Sequence, residues 1–191
     1  MPGDHSFLNT SREPTHLVFL DRDGTVIEEV GYLSDPARVR LLPGVAEAIA
    51  RLNRAGVAVA LVTNQSGIGR GLFTEDQYLR VHAEMVRQLQ ALGAHLDAHV
   101  YCPDAPGQTP SCRKPAPAIF ERAAQQLGLT PRRAAFIGDQ PRDVLPAEHF
   151  EGTGWLVGSG HPVSPEEIPV WVRRVPGLAD AVRLLLEPLG P

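Results

Sequence analysis

Apolar residues along this 191-residue chain follow two rhythms. Short unbroken runs, bounded by glycine, proline or hydroxyl residues, alternate with longer stretches in which apolar positions recur every three or four residues. Short unbroken runs read as strands buried on both faces, and the wider spacing reads as helices that lay one stripe on a core. Leu17 to Leu20 predicts the first strand. Pro43-Gly44 then opens a helix carrying Val45, Ile49 and Leu52, stopped by Gly56. Val57 to Val62 predicts the second strand. Thr74, with Gln77 three residues later, is a capping-box signature for a helix reaching about Leu92. Further strands are predicted at Ala98–Tyr101, Ala134–Ile137 and Gly154–Val157, and further helices near 117–127 and 177–187. A weaker helix after the fourth strand is interrupted by Pro146.

Strand–helix alternation of this kind predicts an α/β fold: an open, mostly parallel, Rossmann-like sheet with helices on both faces. Residues 16–191 are expected to form one domain, preceded by a mobile polar tail at 1–15. Polar residues fall where such a sheet places ligands, at the C-terminal ends of its strands. Asp21 and Asp23 end the first strand; Thr63-Asn64-Gln65-Ser66 end the second; Asp139 and Asp143 follow the fourth; Lys114 precedes a helix. Gly24 permits a sharp turn after the two carboxylates. The segment from Val26 to Leu42 is longer than a usual strand–helix loop, and long loops are commonly functional.

Composition narrows the function classes. The net charge of −4 argues against a nucleic-acid track, and no apolar run is long enough to span a membrane. The first sixteen residues lack the apolar core of a signal peptide, and two cysteines are no disulfide framework, so a reducing cytoplasm is expected. Lys114 is the only lysine among 18 basic residues. A chain otherwise restricted to arginine keeps its one ammonium at a position singled out by strand order, as a compact point charge would require. Two carboxylates one residue apart repel and call for a divalent cation.

That inventory suits phosphoryl transfer. Asp21 is the candidate nucleophile, and Asp23 the acid–base group. Asp21 and Asp139 are candidate magnesium ligands, and Thr63 and Lys114 candidate phosphate holders. The ordered set Asp21-Arg22-Asp23-Gly24-Thr25, Thr63, Lys114 and Gly138-Asp139…Asp143 resembles the haloacid dehalogenase superfamily of phosphatases. Gly31-Tyr32, Thr63 through Gly71 and Cys112-Arg113-Lys114-Pro115 place the resemblance in a branch acting on heptose bisphosphates or histidinol phosphate. The resemblance implies a compact form without a large cap domain. It also implies Mg2+ with Asp23 as a third ligand through its carbonyl, and Asp143 orienting neighbours of the metal or the lysine. Implied substrate contacts are Glu29, Gly31, Tyr32, Thr63, Asn64, Gln65, Ser66, Arg113 and Lys114. The expected reaction is hydrolysis of a heptose 1,7-bisphosphate to the 1-phosphate through an aspartyl-phosphate. Histidinol phosphate or a broad range of small phosphates are the alternative substrates, and a non-catalytic phosphate-binding scaffold is the alternative of another class. A monomer with a small-molecule sugar phosphate partner is expected.

The chain departs from that pattern in places. The family's zinc-binding Cys-x-His and Cys-x-Cys pairs read Cys102-Pro103-Asp104 and Pro110-Ser111-Cys112, so a structural zinc is not expected. Gln140 stands where a lysine is usual, and Pro141 and Pro146 predict a short or irregular helix after Asp139.

Overall fold

A computed structural model of the chain describes residues 15–108, 112–158 and 163–187. The tail expected at 1–15 therefore lies, but for its last residue, outside the described residues. Six strands form one open, all-parallel sheet: β1 (Leu17–Leu20), β2 (Ala58–Asn64), β3 (Ala98–Cys102), β4 (Ala135–Gly138), β5 (Thr153–Val157) and β6 (Arg173–Val175). Their order across the sheet is β3-β2-β1-β4-β5-β6, so β1 and β4 are central and the chain reverses direction of travel between them. Parallel neighbours start at the same edge, and all strand C-termini therefore open on one side.

The strand side chains alternate between two cores. Val18 and Leu20 of β1, Val59 and Leu61 of β2, and Ile137 of β4 pack with α1 (Val45–Arg54), α3 (Glu75–Ala91) and α7 (Leu178–Leu186). Leu17, Phe19, Ala60, Val62 and Phe136 pack on the other face against α4 (Pro117–Gln126). Burial on both faces explains why β1 reads as an unbroken apolar run rather than an alternating one. Phe19 meets Phe120 and Phe136 at ring-centroid distances of 5.2 and 4.9 Å, which fixes α4, and with it the preceding Lys114, against β1. Each such buried ring contributes about 1.5–3 kcal/mol.

The predicted elements are present with boundaries shifted by a residue or two. Thr74 caps α3 with a complete capping box, its hydroxyl accepting from Gln77 N at 3.1 Å and Gln77 Oε1 accepting from Thr74 N at 2.8 Å. Pro146 does divide the helix after β4: α5 (Pro141–Val144) and α6 (Pro146–His149) are single turns. Besides two short 3-10 turns at Pro36–Arg38 and Pro165–Glu167, one helix and one strand were not foreseen. Ser66–Gly69 forms a one-turn helix, α2, directly after β2. The proline-rich stretch after β5 contains β6, a three-residue edge strand with two exposed arginines, which carries too little apolar pattern to be read as a strand.

The cysteine expectation needs correction. Cys102 ends β3, and Cys112 lies two residues before Lys114; their Cα atoms are 5.5 Å apart and the sulfurs are joined in a disulfide. The pair is therefore not two free thiols, because Cys112 lies within bridging range of the end of β3.

Candidate active site

The chain turns sharply where β1 ends. Gly24 sits at φ 74°, and the main-chain N–H groups of Val26 and Ile27 both donate to Arg22 O, at 2.8 and 3.0 Å. A side chain at Gly24 would be strained in that left-handed conformation. The turn leaves Asp21 and Asp23 at the C-terminal edge of the sheet. Thr25, next in the turn, is buried with its hydroxyl oxygen unpartnered among the described residues.

A cavity of about 400 Å³ opens at this edge. Asp21, Asp23, Thr63, Asn64, Lys114 and Asp139 reach it from strand ends and a helix start. Glu29 and Gly31 reach it from the 26–42 connection, and Gln140 and Arg142 from the turn after β4. Five separate stretches of sequence thus meet at one place, as the strand order requires.

Lys114 is the centre of the cavity floor. Its ammonium donates to Asp21 Oδ1 at 2.6 Å and to Val62 O at 2.8 Å, and pairs with Asp143 Oδ1 at 2.7 Å. Two of its three protons are thus spent in hydrogen bonds, and Asp143 faces it as an ion pair. Burial by itself would lower the lysine pKa, but the charges of Asp143 and Asp21 outweigh it and hold it above the usual value. The backbone of Lys114 is fixed as well. Asn64 Oδ1 accepts from Lys114 N at 2.9 Å, and Asn64 Nδ2 donates to Lys114 O at 3.3 Å. Asn64 therefore reaches the cavity but spends its amide on positioning the lysine.

Asp143 faces inward from α5, with Oδ2 accepting from Gln140 N at 3.0 Å. Its carboxylate lies so close to Gly138 that a Cβ there would sit 2.3 Å from Asp143 Cβ. Only glycine fits at the end of β4. Burial, against the pull of Lys114 and with the push of Asp21, raises the Asp143 pKa to about 6.

Asp23 is held from behind. Arg22, 1% exposed, donates from Nε at 3.1 Å and from Nη2 at 2.9 Å to Asp23 Oδ1, and its guanidinium lies 5.0 Å over the Tyr78 ring. Gln65 Nε2 donates to Asp23 Oδ2 and to Thr63 Oγ1, both at 2.9 Å. With its oxygen accepting from Gln65, the Thr63 hydroxyl keeps its own proton to donate. Beneath Tyr78, His82 and His99 stack at 3.6 Å between centroids, and Tyr78 Oη meets His99 Nε2 at 2.6 Å. Burial, and then Arg22, lower the His82 pKa to about 4; burial, His82 and Arg22 lower that of His99 to about 3.

The donor set fits a hard divalent cation. Carboxylate oxygens of Asp21, Asp139 and Asp143 lie within 4.8 Å of one another. Lys114 and Gln140 N already engage both oxygens of Asp143, so Asp21 and Asp139 are the carboxylates that would hold an ion, and oxygen donors are what magnesium takes. Asp23 turns its carboxylate to Arg22 and Gln65, which leaves its main-chain carbonyl as the donor it can contribute. Ligand atoms of Cys102, Asp104 and Cys112 also lie within 4.8 Å of one another, but the two sulfurs are bonded to each other and Asp104 Oδ2 accepts from Cys112 N at 3.1 Å.

Of the expected substrate contacts, Glu29, Gly31, Thr63, Asn64 and Lys114 line the cavity, whereas Tyr32, Gln65, Ser66 and Arg113 do not. Gln65 lies under the floor, joining Asp23 to Thr63. Tyr32 is 52% exposed beside Phe73, and Arg113 donates from Nη1 to Asp104 O at 2.8 Å. Glu29 Oε1 accepts from Gly31 N at 2.6 Å; burial and the charge of Asp23 raise its pKa despite that bond. Arg142, Arg22, which holds Asp23, and Tyr78, over which Arg22 lies, were not singled out from sequence. Arg22 sits inside the Asp-x-Asp motif, and that position was the available signal.

Comparison with known proteins gives concordant results. A family model described as haloacid dehalogenase-like hydrolase matches residues 17–150. D-glycero-β-D-manno-heptose-1,7-bisphosphate 7-phosphatases from Photorhabdus laumondii and Yersinia pestis are 39% and 38% identical over 157 residues, covering 78% of this chain and 84% of each relative. A crystal structure of D,D-heptose 1,7-bisphosphate phosphatase from B. bronchiseptica, complexed with magnesium and phosphate, superposes with a TM-score of 0.80 at 33% identity. That match covers 90% of this chain and 98% of the other.

Proposed function

This chain belongs to the haloacid dehalogenase-like hydrolases, and we propose that it is a magnesium-dependent phosphatase that removes the 7-phosphate of D-glycero-β-D-manno-heptose 1,7-bisphosphate. It is a phosphoric monoester hydrolase, with residues 16–191 acting as one domain. The observation that carries the reading is the meeting of Asp21, Asp23, Thr63, Lys114 and Asp139 on one cavity. Identity above 30% to relatives of that name supplies the substrate.

Phosphate monoesters resist hydrolysis strongly, so the site must supply about 20 kcal/mol of transition-state stabilisation. Asp21 and Asp139, with the Asp23 main-chain carbonyl, would hold a magnesium ion, whose chemistry there is to neutralise phosphate charge and polarise its oxygens. Lys114 adds a fixed point charge beside Asp21, already stripped of water and already oriented. The Thr63 hydroxyl donates to a phosphate oxygen. Asp21 attacks phosphorus, the bond to the sugar oxygen breaks, and the carboxylate becomes an acyl-phosphate. Asp23 gives its proton to the departing oxygen, then takes one from the water that releases phosphate and restores Asp21. Arg22 and Gln65 keep the Asp23 carboxylate in one orientation for both steps. Phosphate release with magnesium should be measured by kcat/KM on the heptose 1,7-bisphosphate anomers, histidinol phosphate and common hexose phosphates. The reading expects the β-heptose bisphosphate to lead by at least tenfold. A lead for histidinol phosphate, or no preference, contradicts it.

A further inference from the structure

One aromatic ring outside the cavity bears on the group that moves protons inside it. Arg22 is buried, and a charged group taken out of water needs partners in place of it. Its Nε and Nη2 are spent on Asp23, and Nη2 also donates to Gln65 Oε1 at 3.2 Å. Its Nη1 is buried with no hydrogen-bond partner among the described residues. The guanidinium lies instead over the face of the Tyr78 ring, 5.0 Å from its centroid. Tyr78, in the first turn of α3, is wholly buried. Its ring is held by β3: Tyr101 packs on it at 4.6 Å between centroids, and its hydroxyl meets His99 Nε2 at 2.6 Å.

A desolvated cation gains more from an aromatic face than an exposed one, because no water competes for it. This guanidinium also sits at a junction. It holds Asp23 directly, and it donates to Gln65, whose Nε2 donates in turn to Asp23 Oδ2 and Thr63 Oγ1. Asp23 and Thr63 both line the cavity, so a tilt of the guanidinium plane disturbs two reacting groups at once. We propose that Tyr78 is a positioning residue for catalysis: the negative face of its ring fixes the Arg22 guanidinium, which keeps Asp23, and through Gln65 also Thr63, in working orientation. Core packing alone gives no reason for the charge on the ring face to matter, since an apolar side chain of similar volume would fill the same space. The proposal rests on the phosphatase reading above and adds to it a residue that does not line the cavity.

The test compares wild type with Tyr78→Phe, Tyr78→Leu and a chain carrying trifluorophenylalanine at position 78, each at full length with magnesium and heptose 1,7-bisphosphate. Fluorination keeps the shape of the ring but withdraws the negative charge from its face, so this replacement decides the matter even where the leucine variant does not fold. We expect Tyr78→Leu to lower kcat at least about tenfold, and Tyr78→Phe, which keeps the face, to recover most of that loss. Trifluorophenylalanine should lower kcat about 5- to 10-fold below Tyr78→Phe, with KM and melting temperature close to those of Tyr78→Phe. The same replacement in an Arg22→Met background should cost nothing further, because the ring acts through Arg22. A merely structural role would leave the phenylalanine and trifluorophenylalanine chains alike and would add its cost in either background. Equal kcat within twofold for those two chains overturns the inference, as does an undiminished loss in the Arg22→Met background; either result leaves the phosphatase reading standing. Wild type that releases no phosphate overturns both.

Discussion

At the floor of the cavity Lys114 has three partners within 2.8 Å and is almost wholly buried; at the mouth Arg142 is exposed and makes no ion pair among the described residues. Both are cations facing the same space, and they are held in opposite ways. The floor is organised before anything binds. Its charges are desolvated, paired and locked by backbone contacts such as those of Asn64 to Lys114. Such a site loses little to reorganisation when charge develops in the transition state. The mouth is instead open to solvent, where Arg142 is exposed. The groups placed for chemistry are thus fixed by burial at the bottom, whereas the rim is not.

Substitutions can test this division, the largest effect being at Asp21. Asp21→Asn should lower kcat by at least about 10⁴-fold, the order expected when a nucleophile is removed. Its melting temperature should change little, since Asp143 remains as a partner of Lys114. Retained turnover would mean that the floor is not where the reaction occurs. Lys114→Arg should cost about 10²- to 10³-fold in kcat, because a planar fork cannot take the place of a point charge packed among Asp21, Asp143 and Val62 O. Lys114→Met should in addition lower stability by about 3–5 kcal/mol in urea titration, since two buried carboxylates lose their counter-charge. Near-normal kinetics in the arginine variant would show that floor and mouth tolerate the same exchange, and the contrast would collapse. Arg142→Ala, by comparison, should leave the urea midpoint near that of wild type, since Arg142 is exposed.

The smallest effect lies beneath the floor, in the His82–His99 stack that backs Tyr78 and Arg22. Both imidazoles have folded-state pKa values below the ordinary 6.5, at about 4 and about 3. The unfolded chain therefore takes up their protons first, and stability falls as pH drops from about 6.5 toward 4. Asp143, raised to about 6 by burial, acts in the opposite sense over part of that range. The histidine contribution is isolated by difference: His82→Phe should flatten the fall in melting temperature between pH 6.5 and 4. Parallel curves for the two proteins would count against it.

The floor was legible in the sequence and the mouth was not, for a physical reason. Asp21, Asp23, Thr63, Lys114 and Asp139 follow unbroken apolar runs or lead into a helix, and parallel strands bring all such ends to one edge. Their spacing along the chain is therefore also their grouping in space. Asp143 was legible only as a residue near the metal or the lysine; that it would be a direct partner of Lys114 depended on a glycine-tight contact at Gly138. Arg142 reaches the cavity from α5, a single turn with no apolar periodicity, and in a chain with 17 arginines it does not stand out. Gln65 was expected on the substrate and lies instead between Asp23 and Thr63, since an amide can bridge two oxygens that sequence alone does not place together. β6 escaped for a similar reason, a three-residue edge strand carrying arginines having no apolar signature.

The most direct test of the account is a rapid acid quench of the Asp23→Asn variant with magnesium and heptose 1,7-bisphosphate, followed by mass analysis of the peptide holding residue 21. Loss of Asp23 removes both the acid for the departing oxygen and the base that activates water, so the account predicts slow release of heptose 1-phosphate, each release leaving a phosphoryl group on Asp21. Release of heptose 1-phosphate with the Asp21 peptide unmodified at every time point would contradict it.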